Sequence, residues 1–368
     1  VRLIAGLLFV AAATGAQTHS PLAFPGAEGF GRFATGGQGG ERVPVTTLND
    51  SGAGSFRDAV SQPHRVVVFE VGGIIRLQSN VAVSSDISIL GQTAPSPGIT
   101  LYGRSVSFSG RSNVIVRYLR FREGISGDRG KCSVNVAGGR DMIFDHCSIE
   151  WGRWDCLGVT QGSRDITFQN CIIGEGVDPQ RFGALADSVT NITFVRNLWV
   201  NNQSRNPKAK GQIQYVNNII YNWGVCGLVG GHSETEHCLD AVGNYFIAGP
   251  DSSPHAVGQF TGTDHVFQSG NFVDLNRDGK LNGRKLLPAD FGAGVNMPTW
   301  EAHLAVAPLT NVTVLPALVA LSNVLADAGC SAHRDVVDAR LIDAVKSFGL
   351  RGRILRHETE TVVEPGNR

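Results

Sequence analysis

No C-x-x-C pair occurs in the 368 residues, so a zinc or thioredoxin-like reading has no support. Seven cysteines are too few for a disulfide-built scaffold at this length, and their odd number leaves at least one thiol unpaired. Net charge is also absent. The 32 basic and 32 acidic residues cancel, so no global field draws the chain to nucleic acid or to an anionic membrane, and attraction to a polyanion must be local. No apolar run is long enough to span a bilayer. The one candidate, "VRLIAGLLFVAAATGA" at 1–16, carries Arg2 and ends in small residues near Ala16. It reads as an export signal cleaved there, without a membrane anchor, and implies a secreted or periplasmic product. The glycine-rich stretch 36–40 lacks a following Lys-Ser/Thr pair, which removes a phosphate loop. In "DLNRDGKLNG" at 274–283, an EF-hand would need Glu where Lys285 stands, so this is read as a plain turn.

What is present is glycine, 46 residues, and short β-branched or aromatic runs that exclude a helical bundle. The runs repeat: "NVIVRYLRF" from 113, "DMIFDHCSI" from 141, "DITFQNCII" from 165, "NITFVRNLW" from 191, "QIQYVNNII" from 212, "CLDAVGNYF" from 238 and "HVFQSGNFV" from 265. Registered on Leu119, Cys147, Cys171, Asn197, Asn218, Asn244 and Asn271, they step by 21 to 28 residues. Such a period marks a solenoid whose rungs bury an interior only when stacked. The four asparagines predict a ladder of side-chain amides, preceded by two neighbouring thiols rather than a disulfide. The architecture is all-β: a right-handed, single-stranded parallel β-helix over 17–350 with short capping helices. "SGAGSFRDAV" predicts an N-terminal cap with Ser55 as N-cap and Phe56, Ala59 and Val60 inward. Residues 334–348 predict a C-terminal cap helix with Val336, Val337, Leu341, Ile342, Val345 and Phe348 inward. Residues 351–368 read as a loose polar tail.

On a parallel β-helix, side chains leaving one sheet in consecutive rungs lie ~4.8 Å apart, so residues distant in sequence line one groove. Arg205, Lys208 and Lys210 stand just before a strand, and Lys131, Asp155 and Arg181 occupy comparable places one to three rungs earlier. Basic charge thus gathers on one face of a neutral protein. The partner it fits is an acidic polysaccharide, whose uronate carboxylates several of these side chains can hold.

The stretches "AFPGAEGFGRFATGGQGG" (23–40), "LNDSGAGSFRDAV" (48–60), "IVRYLRFREG" (115–124), "IFDHCSIEWGRWD" (143–155), "SRNPKAKG" (204–211) and "RDVVDAR" (334–340) together resemble the pectate lyase superfamily, in the family of pectate and pectin lyases. The resemblance implies β-elimination on a 1,4-linked uronan, with polygalacturonate as the default substrate. It puts the Brønsted base at Arg205, a substrate-binding cation at Lys210 where Arg is usual, and Lys208 beside the same subsite. It also implies calcium bound by acids on two strands. Here the first of those positions carries Lys131, and after the second only Asp155 remains, flanked by Cys156, Gly158 and Val159. Asp128 or Glu150 would have to complete a calcium cage. The expectation is instead that no cofactor is required: Lys131 pairs with Asp155, and with Arg181 nearby these fixed charges neutralise the substrate carboxylate, Ca2+ being the alternative. Trp151 and Trp154 are expected to stack on sugars in the groove. Asp145 and His146, as strand neighbours, are expected to point to opposite faces and so form no relay. The protein is expected to act as a monomer. Two other readings remain: a hydrolase using Asp145, Asp155 and Asp187, or a non-catalytic uronan-binding β-helix.

Overall fold

The computed structural model describes residues 21–297 and 309–361, and the expected export signal at 1–16 lies outside them. Short strands wind into a parallel β-solenoid of about nine turns. A middle turn shows the pattern. Arg140–Asp145 lies on a first face, Ser148–Glu150 on a second and Asp155–Thr160 on a third, where it pairs in parallel with Val134–Ala137 of the turn before. Arg140–Asp145 in turn aligns with Arg164–Gln169, and Ser148–Glu150 with Ile172–Gly174. Among the described strands only Arg284–Lys285 pairs antiparallel, against Phe272–Asp274.

The bend from the first face to the second needs one left-handed residue per turn. Tyr118, His146, Asn170, Arg196, Asn217, Gly243 and Gly270 all have φ between 52° and 66°, and each directly precedes a position of the repeat. The residue that follows turns inward. Asn197 Nδ2 donates to Asn218 Oδ1 at 3.0 Å, Asn218 to Asn244 at 3.2 Å and Asn244 to Asn271 at 2.9 Å. Each of these buried amides also donates to a backbone carbonyl of a neighbouring turn, and Asn271 closes the series on Ala241 O. Left unpaired, each would cost roughly 1–3 kcal/mol. The ladder continues into Cys171, whose N–H donates to Asn197 Oδ1, and the cysteines, Cys147 and Cys171 included, are free thiols. Inside the coil Phe144, Phe168 and Phe194 stack at centroid distances of 4.7 and 5.5 Å.

At the N-terminal end, helix α1 (Phe56–Ala59) is capped by Ser55 Oγ, which accepts from Asp58 N, and buries Phe56, Ala59 and Val60 as expected. The C-terminal helix differs from its expectation. Helix α2 (Ala317–Asp327) and helix α3 (Val336–Val345) lie along the second face, against Ile172, Leu198, Ile219 and Tyr245, instead of closing the end of the coil. The outward side chains of that face are apolar in its later turns, so it needs a cover as much as the coil end does. Val336, expected inward, is 74% exposed, while Val337, Leu341, Ile342 and Val345 are buried. Asp335 caps α3 by accepting from the N–H groups of Val337 and Asp338. Residues 351–361 of the expected tail are also not loose, and 362–368 lie outside the described residues. Leu355 is buried, and Glu358 accepts from Tyr102 Oη and Ile125 N at 2.9 Å, so 351–361 belongs to the folded unit.

Candidate active site

On the third face, alternation sends Leu157, Val159, Ala184, Ala186 and Ala209 into the core. Leu185, Asp187, Lys208 and Lys210 alternate with them on the outside, while Asp155 and Phe182 stand ahead of this alternation at the starts of their strands. Asp155 aligns with Phe182, Leu185 with Lys208 and Asp187 with Lys210. Phe182 bridges to Ser204, which brings Arg205 beside its ring. The expected cations Arg205, Lys208 and Lys210 gather on one surface, where Arg205 reaches Asp155 directly.

Two of the three cations have a carboxylate partner. Arg205 donates through Nη1 to both carboxylate oxygens of Asp155, at 3.1 and 3.3 Å, and its Cζ lies 4.2 Å from the centre of the Phe182 ring. Asp155 is fully buried. Burial raises its carboxyl to about 6, against the opposing pull of Arg205 and Lys208. Lys210 Nζ donates to Asp187 at 3.2 Å. Lys208 has no described carboxylate within ion-pair distance. Burial lowers its pKa, and repulsion from Arg205 and Lys210 lowers it further, against attraction from Asp187 and Asp155. Three cations against two carboxylates leave one positive charge in excess, and Lys208 is where it faces the groove.

The backbone under Arg205 is tightly held. Arg205 has φ 60°, and its carbonyl accepts from Ala184 N at 2.7 Å. Asn202 Nδ2 donates to Asn206 Oδ1 at 2.8 Å. Gly183 makes this approach feasible, since a Cβ there would lie 2.5 Å from Arg205 O and 2.8 Å from Asn206 Oδ1.

Several expected members stand elsewhere. Lys131 is exposed in the loop before Val134–Ala137, and Asp155 pairs with Arg205 and not with Lys131. The side chain opposite Asp155 one turn earlier is that of Cys132, whose thiol lies against the Asp155 backbone. Arg181 pairs with Asp178 at 3.3 Å and lines a surface cavity of about 550 Å³ with Gln203, Val225, Asp251 and His255. Asp128 pairs with Arg104 at 4.0 Å and lends its N–H to Glu123, away from Asp155. Glu150 is buried on the second face, bonded to Arg122 beneath α3, and cannot reach the groove. Trp151 is corrected likewise. A left-handed turn at φ 60° leaves its ring fully buried, edge-on to Tyr102, with Nε1 donating to Glu175 at 3.3 Å, so it cannot stack on a sugar. Trp154 does stand at the groove edge, 39% exposed, its carbonyl accepting from Phe182 N.

Calcium fits this donor set poorly. One carboxylate, already hydrogen-bonded to a guanidinium, offers little to a hard cation that takes several oxygens. Among the described residues no three His, Cys, Asp or Glu side chains converge as a metal-holding group. The Asp145–His146 pair needs a different correction. The left-handed turn at His146 brings its Nδ1 within 2.8 Å of Asp145 Oδ1, so the two neighbours do meet, without hydrogen-bond alignment. Nε2 bonds Asp327 Oδ2 on α2 at 2.8 Å, which ties the pair to the helical cover rather than to the groove. Phe182 is the member that sequence reasoning missed. Its signal was register, one position along the stack from Asp155.

Comparison with known proteins bears on the family and the fold. The chain is 42% identical over 346 residues to the probable pectate lyase C of Aspergillus flavus, covering 93% of this chain and 81% of that one. It is 40% identical over 372 residues to the probable pectate lyase C of Neosartorya fischeri, covering 100% and 86%. Among solved structures, the cedar pollen allergen jun a 1 superposes with a TM-score of 0.61 at 20% identity, covering 82% of this chain and 92% of that one. A pectate lyase bound to a hexasaccharide superposes with a TM-score of 0.60 at 15% identity, covering 86% and 100%. At those identities the solved structures speak to the fold alone. No family profile matches the chain.

Proposed function

The chain belongs to the pectate lyase family, and from that premise we propose that it is a secreted enzyme that breaks pectate by β-elimination with Arg205 as the base. It is a polysaccharide lyase acting on pectate. The observation that carries the proposed mechanism is the cluster of Arg205, Lys208 and Lys210 on one face, with Lys208 unmatched by a carboxylate. A uronate bound there meets Lys208 first, and neutralising its carboxylate acidifies the adjoining C5–H. The guanidine of Arg205 takes the C5 proton. The electron pair of that bond becomes the C4–C5 double bond, the C4–O bond breaks, and the departing oxygen takes a proton from water.

Fixed cations, in this reading, do the neutralising that the resemblance assigns to calcium, and Lys208 takes the part that the sequence suggested for Lys131. Lys210, Arg181 and Trp154 hold neighbouring sugars. The test is the purified protein with polygalacturonate under mildly alkaline conditions, which favour a deprotonated base. The expected result is ultraviolet absorbance from a double bond conjugated to the carboxylate, persisting after exhaustive chelation. New reducing ends without that absorbance overturn elimination. Activity abolished by chelator and restored by added calcium overturns the fixed-charge account. Secretion is checked by the mature N-terminus, expected near residue 17.

A further inference from the structure

We propose that Phe182 is a positioning residue for the reaction: its ring sets the plane of the Arg205 guanidinium. The inference rests on Arg205 as the base and concerns a residue outside the motif that points to it. The backbone of Arg205 is pinned by the Ala184 N–H and by the close approach over Gly183, but its side chain is long and makes few polar contacts. Its hydrogen bonds among the described residues run through Nη1 alone, to Asp155. A guanidinium held at one nitrogen can swing about that contact. The Phe182 ring, 4.2 Å from Cζ, removes this freedom.

The choice of ring over a second carboxylate matters chemically. A carboxylate would bind Nε and Nη2 and occupy the nitrogens that must reach the substrate. A ring face attracts the cation without accepting either N–H in the guanidinium plane, and so it orients the group while leaving that edge open toward the groove. Phe182 is suitably placed because the register sets it next to Asp155 on one side and next to the Ser204–Arg205 segment on the other. The same side chain is partly exposed on the groove floor. Its role is therefore not that of a core residue, and substitution there leaves the coil interior untouched.

The test compares Phe182→Leu, which keeps apolar bulk, with Phe182→Tyr and Phe182→Trp, which keep a ring face, on polygalacturonate. The expected result is a fall in kcat of about 10-fold for Phe182→Leu with KM nearly unchanged, and recovery to within about 3-fold in the two aromatic variants. Thermal midpoints of all three should stay close to the parent. A purely structural role would be served by leucine, which would then keep both its midpoint and its kcat. Wild-type kcat in Phe182→Leu, or an equal loss in all three variants, overturns the inference. Arg205→Ala is measured alongside. Turnover surviving in that variant overturns the Arg205 reading and this inference with it, whereas its loss together with wild-type Phe182→Leu overturns this inference alone.

Discussion

Two clusters of arginine and carboxylate sit on different faces of the same coil, and they are built to opposite ends. Under α3, Arg120 and Arg122 are buried among Glu150, Asp335 and Asp338, with Arg122 donating to all three carboxyl groups. Two guanidinium groups face three carboxyls there. Burial pushes the Glu150 carboxyl well above the usual range, Arg122 opposes it, and Asp338 and Asp335 add to it. On the third face the excess runs the other way. Arg205 and Lys210 each have one carboxylate, Lys208 has none within ion-pair distance, and the side chains of Arg205 and Lys210 remain 21% and 23% exposed. A dry network clamps a helix to the coil. A half-solvated one with an unmatched cation is left to be completed by a ligand. Both clusters are charged, and they differ in neutralisation: only the one on the third face leaves a cation unmatched at an open surface.

Five substitutions break or sharpen this contrast. The largest effect is expected from Arg205→Lys, which keeps the charge but loses the planar fork that reaches Asp155 and substrate together. Its turnover should fall by about 1000-fold with the fold intact, as initial rates and circular dichroism would show. Arg122→Ala should do the reverse. Removing the shared partner of three carboxyls, two of them buried, costs about 3–5 kcal/mol, read in chemical denaturation, while activity per folded molecule stays at the parent level.

A smaller effect separates two lysines. Lys208→Ala should lower kcat/KM by roughly 30- to 1000-fold, because it removes a desolvated contact to the uronate. Lys131→Ala should cost less than about 5-fold, as an exposed charge is screened by solvent. Equal losses would return Lys131 to the centre of the site.

The smallest concerns the cover over the second face. His146 has a pKa raised to about 9, since its contacts with Asp145 and Asp327 outweigh the opposing effect of burial. A histidine with a raised pKa adds stability below its unfolded value of about 6.5, and that stability is lost as pH climbs through 9. His146→Asn should therefore be less stable than the parent by on the order of 2 kcal/mol near pH 6, with the gap closing above pH 9 in a series of thermal melts. A gap independent of pH would mean that the ring acts by packing on Tyr118, on which it stacks at 4.7 Å.

The coil and the cationic edge were both legible without a structure. The ladder asparagines recur because each turn presents the same inward position after one left-handed residue, and a period of that kind survives in sequence whatever the loops do. The α1 cap was legible for a similar reason, since Ser55, Asp58 and the apolar residues between them interact over a few positions. Arg205, Lys208 and Lys210 are close in sequence, so their gathering on one face needed only the strand Lys208–Val216, which starts at the first lysine.

What went astray involved side chains at bends or contacts far apart in the chain. Asp145 and His146 meet because strand alternation stops at the left-handed residue, and the same kind of turn buries Trp151. Glu150 had the composition of a calcium ligand, and only Arg122, Asp335 and Asp338 decided that it serves the helix clamp. Asp155 was found, but its partner was misassigned because sequence spacing cannot say which of several cations comes within 3.1 Å. The sequence by itself determined the repeat, the inward ladder and the cationic edge, since these depend on local periodicity and on the stacking of turns. Tertiary structure alone decided which charges are matched, which aromatic lies under Arg205 and what α3 covers, because pair distances and burial arise only once distant turns and the helical cover have packed.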